Sequence, residues 1–181
     1  MGVAHLLGVE GTVPALVTLG PRVPMLHPEQ VLFFAPDNIT PFERRLIDER
    51  GMAEVRFAEM VADPSGATRA VVDGWAQRFE RLLIHLDVDV LGFLDIPLAE
   101  DYRRHKGLRF AQLMTALRTL LQAPNWAALT VTEVNPDHGE ADGSTLRLFA
   151  EALAAALAGS PPRRKDFHTT WHWERSCAAG H

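Results

Sequence analysis

The sequence predicts an α/β domain, a parallel sheet with helices on both of its faces. Short apolar runs rich in β-formers alternate with longer amphipathic ones, which is the pattern of strands connected by covering helices. The most apolar of the short runs, Leu82 to Val88, reads as a strand buried on both faces. Size agrees: 181 residues with 47% hydrophobic content make one domain with a sizeable core and are too few for two.

Taken in order, Met1 to Gly8 reads as a short helix, and Gly11 to Pro28, with its prolines and glycines and no sustained period, as a loop. Val31 to Ala35 is the first strand. Thr40-Pro41-Phe42-Glu43 then has the Thr and Glu spacing of a capping box with Pro at the first helical position, and Gly51 closes that helix. Ala53 to Phe57 is the second strand, and a helix follows from Gly66 to Phe79. After the third strand, Leu82 to Val88, a helix from Phe110 to Gln122 places Phe110, Leu113, Met114, Leu117 and Leu121 on one stripe. These residues are core rather than a cofactor box. Leu129 to Val134 is the fourth strand, expected to complete one small sheet, and Ser144 to Leu157 the last helix. Gly159 to Pro162 breaks it. The domain is therefore placed at residues 1–158, and the polar segment 159–181, despite Trp171 and Trp173, reads as a poorly ordered tail.

A net charge of −5 without a long basic run argues against nucleic acid as a partner. The single cysteine, Cys177, has no internal disulfide partner and no obvious base to activate it. No signal peptide opens the chain and no apolar run has the length of a membrane span. The expectation is a soluble cytoplasmic protein.

Chemistry concentrates at two strand ends. Leu83-Ile84-His85-Leu86-Asp87-Val88-Asp89 passes abruptly from an apolar run into two carboxylates. In parallel α/β sheets ligands bind beyond the carboxyl ends of strands, and hard carboxylate oxygens suit Mg²⁺ or Mn²⁺. The blander reading is a pair of solvated loop acids. Thr132-Glu133-Val134-Asn135-Pro136 again delivers an acid at a strand end; alone, Glu133 reads as a residue that orients nearby backbone. Together the two ends offer three carboxylates to one face of one sheet. His85 reads as a core or near-site residue rather than a ligand, and His138 as a loop residue near the mouth.

These residues resemble the ureohydrolases, the family of arginase and agmatinase, from about Met1 to Leu157. The resemblance implies the C-terminal part of a three-layer arginase-like fold. It implies that Asp87 and Asp89 are ligands of a binuclear Mn²⁺ centre, and that Glu133 grips the guanidinium of a small substrate. Pro41-Phe42-Glu43 resembles the stretch that in arginases helps bind the amino-acid end of the substrate, although the capping box explains Glu43 without one. The implied reaction is hydrolysis of a guanidino or related amidine C–N bond by hydroxide bridging two metals about 3.5 to 4 Å apart.

Departures from the family pattern matter as much. Asp89 is followed by Val90-Leu91-Gly92-Phe93-Leu94-Asp95-Ile96-Pro97 where the family has a close Asp-Pro, and Thr40 stands where arginases carry an aspartate. Neither an Asp-Ala-His-x-Asp nor a Gly-Gly-Asp-His segment is present, so the expectation is a domain truncated at its N-terminus and impaired in activity. Two alternatives stay open. One is a Mg²⁺-dependent phosphatase of the haloacid dehalogenase type, which uses Asp-x-Asp after an apolar strand. The other is a non-catalytic fragment or assembly partner, including a homo-oligomer, with a sheet edge to cover.

Overall fold

The computed structural model describes residues 2–103 and 106–161. The tail beyond Pro161, with Trp171, Trp173 and Cys177, lies outside the described residues. A short helix α1 (Gly2–Leu6) opens the chain. The stretch expected as loop contains one further helical turn, α2 (Pro14–Val17), started by proline at its first position.

Strand β1 (Leu32–Phe34) pairs in parallel with β2 (Ala53–Val55). Between them runs α3 (Pro41–Glu49), with the capping box as expected: Thr40 Oγ1 accepts from Glu43 N at 3.2 Å, and Glu43 Oε2 accepts from Thr40 N at 2.9 Å. The second strand stops two residues early because Phe57 already belongs to α4 (Phe57–Ala62). That helix is unmarked by the apolar pattern but is capped by Glu59 Oε2 accepting from Arg56 N at 2.9 Å. Asp63 then caps α5 (Pro64–Arg78), which starts two residues before the expected Gly66.

Strand β3 (Leu82–Asp87) pairs in parallel with β4 (Trp126–Thr132), and α6 (Phe110–Leu120) lies between them in sequence. β4 begins three residues earlier than Leu129, because Ala127 and Ala128 are poor β-formers and hid its start. α7 (Ser144–Ala158) completes the described chain.

The expected single sheet is not what forms. Among the described residues the strands make two separate two-stranded parallel sheets, β1–β2 and β3–β4. Apolar runs specify strands but not which edges meet, and β3 has only β4 as a strand partner here.

The two sheets are also covered differently. Leu32 and Phe34 pack with Met60, Ala67 and Ala116 from α4, α5 and α6, while Phe33 packs on the opposite side with Ile47 of α3 and Val3 of α1. β1–β2 is thus a middle layer between helices. On β3, Leu82, Ile84 and Leu86 face a core built from Leu113, Met114, Leu117 and Leu121 of α6 and its C-cap, and Phe149 and Ala156 of α7. The alternate residues Leu83, His85 and Asp87 are exposed, Leu83 at 75%. The expectation that this strand is buried on both faces therefore fails in the described structure: alternation sends every second side chain to a face that no described helix covers.

Candidate metal and cation site

Both strands of the β3–β4 sheet run the same way, so their C-terminal ends carry their acids to one edge. β3 closes at Asp87, and Val88–Val90 form a single 3₁₀ turn. The turn has a local cause: Asp87 Oδ1 accepts from Asp89 N at 2.9 Å, an Asx-type bond that bends the chain out of the strand. Val88 is fully buried and anchors the turn in the core, while Asp87 is exposed and Asp89 half-buried on either side of it. Two carboxylates are thereby held on a short, fixed piece of backbone.

Asp87 pairs in register with Thr132, and Glu133 follows directly. Glu133 has φ 58°, a left-handed conformation unusual for a non-glycine residue. Such strain costs on the order of 1 kcal/mol and persists only where neighbours enforce it. Here the enforcing segment is Leu98 to Asp101. Glu100 N donates to Glu133 O at 2.9 Å, Asn135 N donates to Leu98 O at 2.9 Å, and Ala99 forms an antiparallel bridge with Val134. The next amide, Asp101 N, donates to Asp89 Oδ1 at 3.1 Å. Consecutive amides of one strap therefore hold Glu133 and Asp89. With a peptide unit of about 3.8 Å between Cα atoms, the two bonded oxygens lie within about 10 Å of each other.

Asp87 and Asp89 thus share one turn and the backbone of Glu133 is held near it, with Glu100 and Asp101 adding negative charge on the strap. A region of this sign attracts a cation. Glu43 is not drawn in: among the described residues its carboxylate accepts only from Thr40, backbone and hydroxyl, and these bonds hold its pKa below the usual glutamate value. The cap accounts for its position without a ligand.

His85 sits on the exposed face rather than in the core, with Nδ1 at 2.8 Å from Thr130 Oγ1 and Nε2 at 3.4 Å from Thr132 Oγ1. His138 lies beside the strap, with Nδ1 at 2.8 Å from Ala99 O. Glu100, Asp101 and Asn135 are the residues that sequence reasoning missed. Asn135 had a faint signal as the residue before Pro136, but nothing in the aperiodic stretch 98–101 marks it as a strap.

A sequence profile of the Arginase family matches residues 19–159. The chain belongs to the arginase family. No curated protein matches it in sequence. Among solved structures it is similar to the arginase of Bacillus caldovelox in its native state at pH 5.6, with 24% identity and a TM-score of 0.72 over 87% of this chain and 50% of that one. It is similar to Bacillus subtilis arginase at 22% identity and TM-score 0.75, covering 88% of this chain and 53% of the other. Formimidoylglutamase of Bacillus subtilis is also similar, at 19% identity and TM-score 0.65, covering 76% and 44%. These likenesses establish the arginase-like α/β fold, and the chain spans about half the length of the solved arginases it matches. Membership of the family leaves the phosphatase alternative without support.

The donor set is the remaining test of the site. Carboxylate oxygens suit a hard divalent ion. Yet among the described residues no group of three or more His, Cys, Asp and Glu side chains is arranged to hold one. Asp87 and Asp89 by themselves fall short of such a group. No helix among the described residues is long and apolar enough to cross a membrane.

Proposed function

We propose that this chain carries the C-terminal share of an arginase-type hydrolase site, acting on the C–N bond of a small cationic guanidino or amidine compound. Asp87 and Asp89 are the metal-facing carboxylates of that share and Glu133 is the group that receives the substrate cation. The observation behind this reading is the strap: one short segment hydrogen-bonds to Asp89 with one amide and to Glu133 with the adjacent one. Family membership gives that juxtaposition its chemical direction.

A divalent ion such as Mn²⁺, when bound, supplies a water of lowered pKa and an electrophile. The chain's own residues do the rest. Glu133 is exposed at the end of β4 with its backbone fixed, so its carboxylate is available for charge-assisted hydrogen bonds to a planar cation. Asp89 is held by the Asp101 amide, and Asp87 is shaped by the bond it accepts from Asp89 N, so both present negative charge from a rigid turn. Two carboxylates fall well short of the roughly six ligands that a hard divalent ion takes. The chain by itself is therefore expected to turn over little or no substrate.

The test is an assay of the purified chain with Mn²⁺ and a panel of arginine, agmatine and formimidoyl compounds, following urea, formamide or ammonia. Background-level release is expected. Manganese-dependent release abolished by Asp87→Ala would overturn the claim that the described site is insufficient. Release that survives Asp87→Ala, Asp89→Ala and Glu133→Gln would overturn the site assignment.

A further inference from the structure

The geometry points to a three-residue clasp, Glu100, Asn135 and His138, that positions Glu133 for its cation without touching that cation. The inference rests on Glu133 being the cation-binding group. It starts from the strain at Glu133, whose φ of 58° needs something to hold it. The backbone ladder between 98–100 and 133–135 does so directly, but it is short: one isolated bridge, closed by two hydrogen bonds. Its 98–99 side is buried, but Glu100 and Glu133 are exposed and Val134 and Asn135 only half-buried. An open side held by so few bonds frays readily unless side chains lock it.

Three side chains provide the lock. Asn135 Nδ2 donates to Glu100 Oε2 at 2.8 Å, tying the two sides of the ladder together. Asn135 Oδ1 accepts from Asp137 N at 2.9 Å, so both ends of this amide are engaged and its orientation is fixed. His138 Nδ1 lies 2.8 Å from Ala99 O; a carbonyl only accepts, so Nδ1 carries the proton. That leaves Nε2 of the neutral ring as an acceptor, 3.5 Å from Asn135 Nδ2. The imidazole is packed edge-on between Phe93, with centroids 5.4 Å apart, and Tyr102, 6.0 Å away. His138 thus pins the strap from one side and the Asn135 turn from the other. Glu100 is exposed, so its removal leaves the core intact.

The clasp explains why a carboxylate beside the site need not be a ligand. If Glu100 acts as an acceptor for Asn135, glutamine can replace it, because the Gln carbonyl accepts the same bond. If Glu100 instead attracts the cation by charge, glutamine cannot.

The experiment uses the full chain and two variants, Glu100→Ala and Glu100→Gln, with guanidinium chloride at low concentration as the probe. Amide hydrogen exchange at Glu100 and Asn135 reads the ladder, and the ¹³C shift of the Glu133 carboxyl reads guanidinium binding. In Glu100→Ala both amides are expected to exchange about fivefold faster and guanidinium to bind about fivefold more weakly, the scale of one lost hydrogen bond. Glu100→Gln is expected to match the natural chain in both. Unchanged exchange in Glu100→Ala would overturn the clasp, and so would Glu100→Gln binding guanidinium as weakly as Glu100→Ala. If the natural chain gives no Glu133 shift with guanidinium, the cation-site reading fails, and the exchange rates still decide whether the clasp exists.

Discussion

The β1–β2 and β3–β4 sheets are built alike, each from two parallel strands followed by helices, yet one is enclosed and the other is half bare. Phe33 of β1 finds Ile47 on its side of the sheet, whereas Leu83 of β3, an equally apolar residue at a strand interior, is 75% exposed. What separates them is the supply of helices. α1 and α3 cover one face of β1–β2 and α4 to α6 the other, while α6 and α7 cover only one face of β3–β4. A continuous apolar strand thus records the cover a strand is suited to, and the described chain provides half of it. The same sheet carries Asp87 and Asp89, so the under-covered region and the proposed metal-binding acids coincide.

The largest effect is expected where the two cores meet. A Cβ at Gly107 would lie 2.2 Å from Gly92 N and 2.3 Å from Leu91 C. This close approach lets Leu91 of the β3–β4 core bridge to Leu108 of the β1–β2 core. Gly107→Ala forces backbone apart at the seam between the two cores and should cost about 4 kcal/mol in denaturant unfolding. A loss below about 1 kcal/mol would show that the seam yields easily.

Leu86→Ala, on the packed face at 6% exposure, should cost about 3 kcal/mol. Leu83→Ala on the bare face should stay within about 0.5 kcal/mol. Equal losses at the two positions would break the contrast between the faces.

The enclosed sheet offers smaller effects. Thr40→Ala removes the cap of α3 and should cost about 1 kcal/mol. Glu43→Gln should cost less, with a pH signature. The folded chain holds the Glu43 carboxyl below its ordinary pKa of 4.5 through the bonds it accepts from Thr40. Its contribution is therefore fully present above that value and is lost as pH falls through the lower folded value. Melting curves of the two proteins should differ near neutrality and converge in acid; a gap that widens in acid would reverse the assignment.

The sequence made much of this legible, for identifiable reasons. The capping box at Thr40 and Glu43 and the amphipathic stripe of α6 are local signals, and each element formed where its signal lay. Asp87 and Asp89 were visible because two acids interrupt an apolar strand. Sheet partition was not visible, since pairing depends on edges and not on composition. Nor was the left-handed backbone of Glu133: no residue type there announces it, and it is imposed by the Leu98 to Asp101 segment from a different loop. Glu43 shows the opposite hazard, a motif resemblance at a position that a local cap explains.

Mn²⁺ binding to the purified chain, followed by electron paramagnetic resonance, tests the central claim most directly. Weak uptake of a single ion, abolished by Asp87→Ala and by Asp89→Ala, is the predicted result. Binding that neither substitution alters, or no binding at millimolar Mn²⁺, would contradict the assignment of this strand end as a metal site.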